Sequence, residues 1–183
     1  VGKDLLVVDT RDEKVFKKNH LPNSLNIMAR NEDDKLETWL GSIIKPEERF
    51  YLVVDSVKNV RPLLERIAKI GYETQVEAVL TLANKPLESS PSIDFVDFKD
   101  HQERYTILDI RNRSEVREGK FFENAINIPL NELKGSLDQI PTSKPIVVHC
   151  AGGYRSAAGS SIVESEVKNA QIYDLGEAVN EFK

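Results

Sequence analysis

Ile146-Val-Val-His-Cys150-Ala-Gly-Gly-Tyr-Arg155-Ser156 is the most informative stretch of the chain. An apolar run enters the cysteine, two glycines turn the chain, and a helix is expected to start near Arg155 or Ser156. That order places a thiol at the carboxyl end of a strand, where open α/β sheets put their sites. The amides of Ala151 to Arg155 are expected to curl round one point, since Gly152 and Gly153 both tolerate positive φ. Inward-pointing N–H groups and a helix N-terminus together favour an anion, here the reactive thiolate. Arg155 adds a permanent cation whose fork is shaped to grip an oxyanion through two hydrogen bonds. A buried structural cysteine is the plain alternative. The glycine pair, Tyr154-Arg155 and the following helix all agree with a nucleophile instead.

Working outward, the chain reads as two copies of one pattern. Asp9 and Arg11 recur as Asp109 and Arg111, Ser24–Ile27 as Ala125–Ile128, and Val53-Val-Asp-Ser56 as Val147-Val-His-Cys150. The last match sets Ser56 on Cys150 and Arg61 on Arg155. About seven extra residues then fall between Ile27 and Ser56. Short β-rich runs at Leu5–Val8, Phe50–Val54, Tyr105–Asp109, Ile146–His149 and Gln171–Asp174 suit strands buried on both faces. Helix-like stretches at Pro62–Ile70, Ser156–Glu166 and Gly176–Phe182 alternate with them. The expected fold is α/β, two tandem domains, each a mainly parallel sheet flanked by helices. Residues 1–83 form the first, the polar stretch 84–92 the linker, and 93–183 the second. Ile93–Arg104 has room for a further strand and a helical turn. Copy one has only Val1–Asp4 at that place, so its first element is expected upstream in a longer polypeptide.

With 183 residues, 40% of them apolar and 30% charged, and a mean hydropathy of −0.39, the composition is that of an ordinary globular chain. No apolar run approaches a bilayer span. The net charge of −5 and scattered basic residues argue against a nucleic-acid surface. One cysteine forms no intramolecular disulfide, and a lone thiol fits a reducing, cytoplasmic setting. His20, His101 and His149 do not cluster as metal ligands.

The second copy resembles a rhodanese domain, through Asp109-Ile-Arg111 with Glu115, Asn124-Ala-Ile-Asn-Ile-Pro129, and Cys150-Ala-Gly-Gly-Tyr-Arg155-Ser. The resemblance implies a sulfurtransferase in which Cys150 accepts a sulfane sulfur as a persulfide, with Cys150 through Arg155 as its six-residue active-site loop. It implies small sulfur donors and thiol acceptors as partners, with no cofactor in this fragment. Gly119-Lys-Phe-Phe departs from the family's Gly-His-Ile type of step, whereas copy one keeps His20-Leu-Pro. Copy one has Ser56-Val-Lys-Asn-Val-Arg61, without thiol or glycine, and reads as a non-catalytic copy. An inactive copy before an active one resembles the C-terminal part of bacterial persulfide dioxygenase fusions. There a metallo-β-lactamase-like, iron-binding domain precedes the rhodanese part. The longer two-domain thiosulfate or mercaptopyruvate sulfurtransferases are the other setting.

Two other classes compete: an interaction module without chemistry, and a cysteine phosphatase. The latter would need a longer loop and an acid for the leaving group. Asp109/Arg111/Glu115 and Asp9/Arg11/Glu13 read as structural ion-pair and capping groups. His149 is expected to face away from the pocket, and Trp39 to lie in the core. Tyr154 fits either a pocket mouth or simple packing.

Overall fold

The computed structural model describes residues 6–82 and 87–183. The expected strand residue Leu5, the truncated start at Val1–Asp4, and Asn84–Pro86 of the expected linker lie outside the described residues. The chain divides into two compact units, 1–89 and 90–183. Leu87 and Glu88 pack on the first, where Glu88 bridges His20 through paired backbone bonds of 3.0 Å. Ser90 hydrogen-bonds Glu164 of the second at 2.8 Å.

In the first unit β1 (Leu6–Asp9), β2 (Ser24–Asn26), β3 (Phe50–Val54) and β4 (Val76–Thr81) form a parallel sheet in the order β2-β1-β3-β4. Helices α1 (Glu13–Lys18), α2 (Leu36–Ile43) and α3 (Val60–Ala68) connect them. The second unit repeats this with β5 (Thr106–Asp109), β6 (Ile126–Asn127), β7 (Ile146–His149) and β8 (Ile172–Asp174), ordered β6-β5-β7-β8 and all parallel. Its helices are α4 (Phe95–Asp100), α5 (Arg113–Glu118), α6 (Leu130–Leu133) and α7 (Tyr154–Glu166). Central strands are buried on both faces, which is why they read as unbroken apolar runs.

Ile93–Arg104 holds no strand. Asp94 caps α4, its carboxylate accepting from the N–H groups of Val96 and Asp97 at 3.1 Å. A 3-10 turn at Gln102–Arg104 then leads into β5. The cap, rather than the apolar pair Phe95-Val96, decides the conformation. Phe98 from α4 is fully buried with Ile107, Phe122, Val147, Leu175 and Val179.

Helix α7 carries mostly small residues and is buried from Ser156 to Val163. Gly159 explains how closely it lies on the sheet. A Cβ there would stand 2.6 Å from Cδ1 of Ile110 and 3.3 Å from Cγ1 of Val148, so a larger residue fits only if the buried Ile110 side chain or the helix shifts.

Candidate active site

The two sheets allow the copies to be superposed by register rather than by sequence. Asp9 pairs with Val53 and Asp109 with His149, and the next amides, of Thr10 and Ile110, bond the carbonyls of Val53 and His149. Val53 is therefore the equivalent of His149, and Val54 is the equivalent of Cys150. Ser56 does not stand where the thiol stands; it lies two residues further on, half-buried, capping the turn Val57–Asn59. Helix α3 starts at Val60, six residues past Val54, whereas α7 starts at Tyr154, four past Cys150. The first copy's connection is thus two residues longer. The Val-Val match in sequence concealed this, because a helix start cannot be located from two valines.

Cys150 follows β7 directly and is 1% exposed. Gly153 adopts φ +101° and its N–H donates to Cys150 Sγ at 3.2 Å. This glycine is obligatory twice over: its φ suits no L side chain, and a Cβ would press to 3.1 Å against the Gly176–Glu177 backbone. Gly152 differs from the expectation. It is exposed, its φ is not positive, and space around it is open. Only one of the two glycines shapes the loop. Ala151 is half-buried, and Tyr154 opens α7 with its ring partly exposed. Ser156 donates its hydroxyl to the Gly153 carbonyl at 2.9 Å, closing the first turn.

Arg155 is not an open fork. Its two terminal nitrogens donate to the two carboxylate oxygens of Glu115 at 2.6 and 2.7 Å. The hydrogen bonds from Arg155 hold the Glu115 carboxyl below the usual range against the opposing effect of burial, and the Asn112 N–H adds to them. The same contact raises Arg155, burial opposes it, and the negative field of Cys150 reinforces it. Glu115 also completes a capping box with Asn112 at the start of α5. It was expected to cap; its partner forty residues away is not visible in a single sequence.

Asp109 and Arg111 form a buried pair at 2.6 Å, and Asp9 and Arg11 repeat it at 2.7 Å. Arg111 also lies 3.9 Å over the Phe121 ring, while in the first unit His20 instead stacks on Phe16 at 4.1 Å. The Lys120-Phe-Phe departure is thus a change of packing. His149 is fully buried, against Phe122 at 4.8 Å. Burial pushes its imidazole below the usual range, with Asp109 at 3.7 Å opposing. Trp39 on α2 is half-buried rather than core.

A cleft of about 540 Å³ lies at the carboxyl edge of the first sheet, bordered by Thr10, Arg11, Arg30, Val54, Asp55 and Arg66. Its lining contains no cysteine or histidine, and its arginines already hold carboxylates: Asp9, Asp34 and Glu37.

A family model described as Rhodanese-like domain matches residues 2–80 and again 94–180. No curated protein matches the chain. Among solved structures, a rhodanese-related protein from Thermoplasma volcanium is 32% identical over 48% of this chain and 85% of its own, with a TM-score of 0.42. A human single-domain sulfurtransferase is 21% identical over 52% of this chain and 98% of its own, TM-score 0.40. A thiosulfate sulfurtransferase from Pseudomonas aeruginosa is 17% identical over 96% of this chain and 35% of its own, TM-score 0.41.

Proposed function

The chain belongs to the rhodanese-like family in both of its halves, and on that premise we propose that the second unit is a sulfurtransferase working through a Cys150 persulfide. The observation that carries the reading is the Gly153 N–H donating to Sγ at 3.2 Å, at the foot of a thirteen-residue helix. An amide aimed at sulfur and a helix N-terminus stabilise negative charge on the thiolate and on the outer sulfur of a persulfide alike. In the first half-reaction the Cys150 thiolate attacks the sulfane sulfur of thiosulfate or of an organic persulfide. A new S–S bond forms as the donor's breaks, and sulfite or the donor thiolate leaves with the bonding pair. In the second, cyanide or an acceptor thiolate attacks the outer sulfur, and Cys150 leaves as thiolate. Val54 in the equivalent place supports a first unit without chemistry.

The phosphatase alternative weakens. Glu115 does reach the loop, but it is held ionised on Arg155 rather than protonated to serve a leaving oxygen. The deciding experiment assays one preparation with thiosulfate or an alkyl persulfide plus cyanide, and separately with para-nitrophenyl phosphate. Thiocyanate should form, and the intact mass should rise by about 32 Da on donor treatment, the thiolate being the attacking species. Both signals should vanish in Cys150→Ser. Cys150-dependent phosphatase turnover without sulfur transfer would overturn the assignment.

A further inference from the structure

Resting on that reading, we propose that Glu115 determines which sulfur donors the Cys150 site accepts. By engaging Arg155 it makes the site favour donors uncharged beside the transferred sulfur over the thiosulfate dianion. Both ends of the Arg155 fork face the Glu115 carboxylate, at 2.6 and 2.7 Å, and the arginine side chain is only 15% exposed. An incoming sulfonate therefore meets a neutral pair, not a cation.

The surrounding edge does not supply another arginine. The loops and first helical turns beyond the carboxyl ends of β5 to β8 carry Arg111, Arg113 and Arg155. Arg111 ends on Asp109 at 2.6 Å and Arg113 on Glu132 at 2.5 Å. Glu177 lies exposed beside Gly153, its Cγ 3.4 Å from where a Cβ on that glycine would stand. Asp174, at the end of β8, accepts from the Gly176 N–H at 2.9 Å. What attraction an anion finds at the sulfur is that of the Gly153 N–H, the amino end of α7 and the Glu115-paired Arg155, which suits a single terminal sulfur better than a sulfonate.

The chemistry separates the donors at their leaving groups. From R–S–SH, the Cys150 thiolate takes the outer sulfur with its proton, and the carrier departs as RS⁻ with the bonding electrons. From thiosulfate, sulfite departs with two charges on the atoms nearest the rim. The second case needs a cation that Glu115 has already neutralised.

The test measures kcat/KM for thiosulfate and for 2-hydroxyethyl persulfide, with cyanide as acceptor, in the wild-type protein and in Glu115→Gln. Removing the countercharge should raise the thiosulfate-to-persulfide ratio by about tenfold or more, a charge at this range being felt strongly in a half-buried site. A ratio unchanged within about twofold would overturn the proposal. A second measurement needs no variant. In the wild type, thiosulfate kcat/KM should stay flat or rise as salt increases from about 20 to 500 mM, because no attraction is there to be screened. A steep fall with salt would reveal an uncompensated cation and overturn it as well. If neither donor persulfidates Cys150 in the wild type, the sulfurtransferase reading itself fails and this inference with it.

Discussion

Val54 at the end of β3 and Cys150 just after β7 occupy equivalent places in the two sheets, 1% exposed in each case, and in both units the chain enters a helix soon afterwards. Between them the units part. Five residues, Asp55 to Asn59, precede α3, whereas three, Ala151 to Gly153, precede α7. The shorter path needs a left-handed residue, Gly153, and it swings the second residue of the helix inward. Arg155 accordingly reaches Glu115 on another element. Arg61, the second residue of α3, points outward with 90% of its side chain exposed and pairs with Glu65 one turn along. Val15 stands at the place of Glu115, at the third position of the matching helix, so the first unit has no carboxylate there, and Glu13 pairs with Lys17 on its own helix. Long-range pairing in one unit has become local pairing in the other. The presence of a cysteine is thus only one of three linked differences; loop length and glycine are the others.

The sharpest way to break this comparison is at the glycine. Gly153→Ala should destabilise the second unit by about 1–3 kcal/mol, from the φ penalty and the contact with Gly176–Glu177. Sulfur transfer should fall by about tenfold or more, since the Sγ donor moves with the loop. Gly152→Ala should change stability by less than about 0.5 kcal/mol, being exposed and unhindered. Thermal melts and turnover of both variants check this; equal effects would show that the loop is not held as described.

A smaller effect follows from the ion pairs. Glu115 is held below its ordinary range by Arg155. A carboxyl whose folded value is depressed stabilises the fold above its unfolded value, and that stability is lost as pH falls through the folded value. Melting temperature should therefore drop below about pH 4.3, the ordinary glutamate value, and drop less steeply in Glu115→Gln. Equal slopes would mean that the pair contributes no stability.

The smallest expected change is at Ser56. Ser56→Ala should leave turnover within about twofold, because that hydroxyl caps a turn with a long bond of 3.4 Å in the unit lacking the thiol. A tenfold loss with the fold intact would mean that the first unit takes part in the chemistry.

Much of this was legible in the order of residues. Buried parallel strands print themselves as unbroken apolar runs, so β3, β5 and β7 appear nearly to the residue. The short edge strands β2 and β6 showed only as repeated blocks, since two or three residues make no pattern of their own. Helix α4 was hidden by the aromatic Phe95 and Phe98, which suit strand or helix equally, while the decisive Asp94 cap is a single residue. At the site, Cys150 and the loop were visible, but the division of labour between Gly152 and Gly153 was not. It depends on the approach of Gly176, more than twenty residues away. The placement of Ser56 failed for a related reason: register is a property of paired strands, and a lone copy of Val-Val carries none.

The contact at Gly159 has a mechanical corollary. With Ile110 and Val148 packed against the one position of α7 that lacks a side chain, the helix lies as close to the sheet as its backbone allows. The level at which the buried Cys150 loop meets the sheet is thus set in part by a glycine on a helix face several residues away.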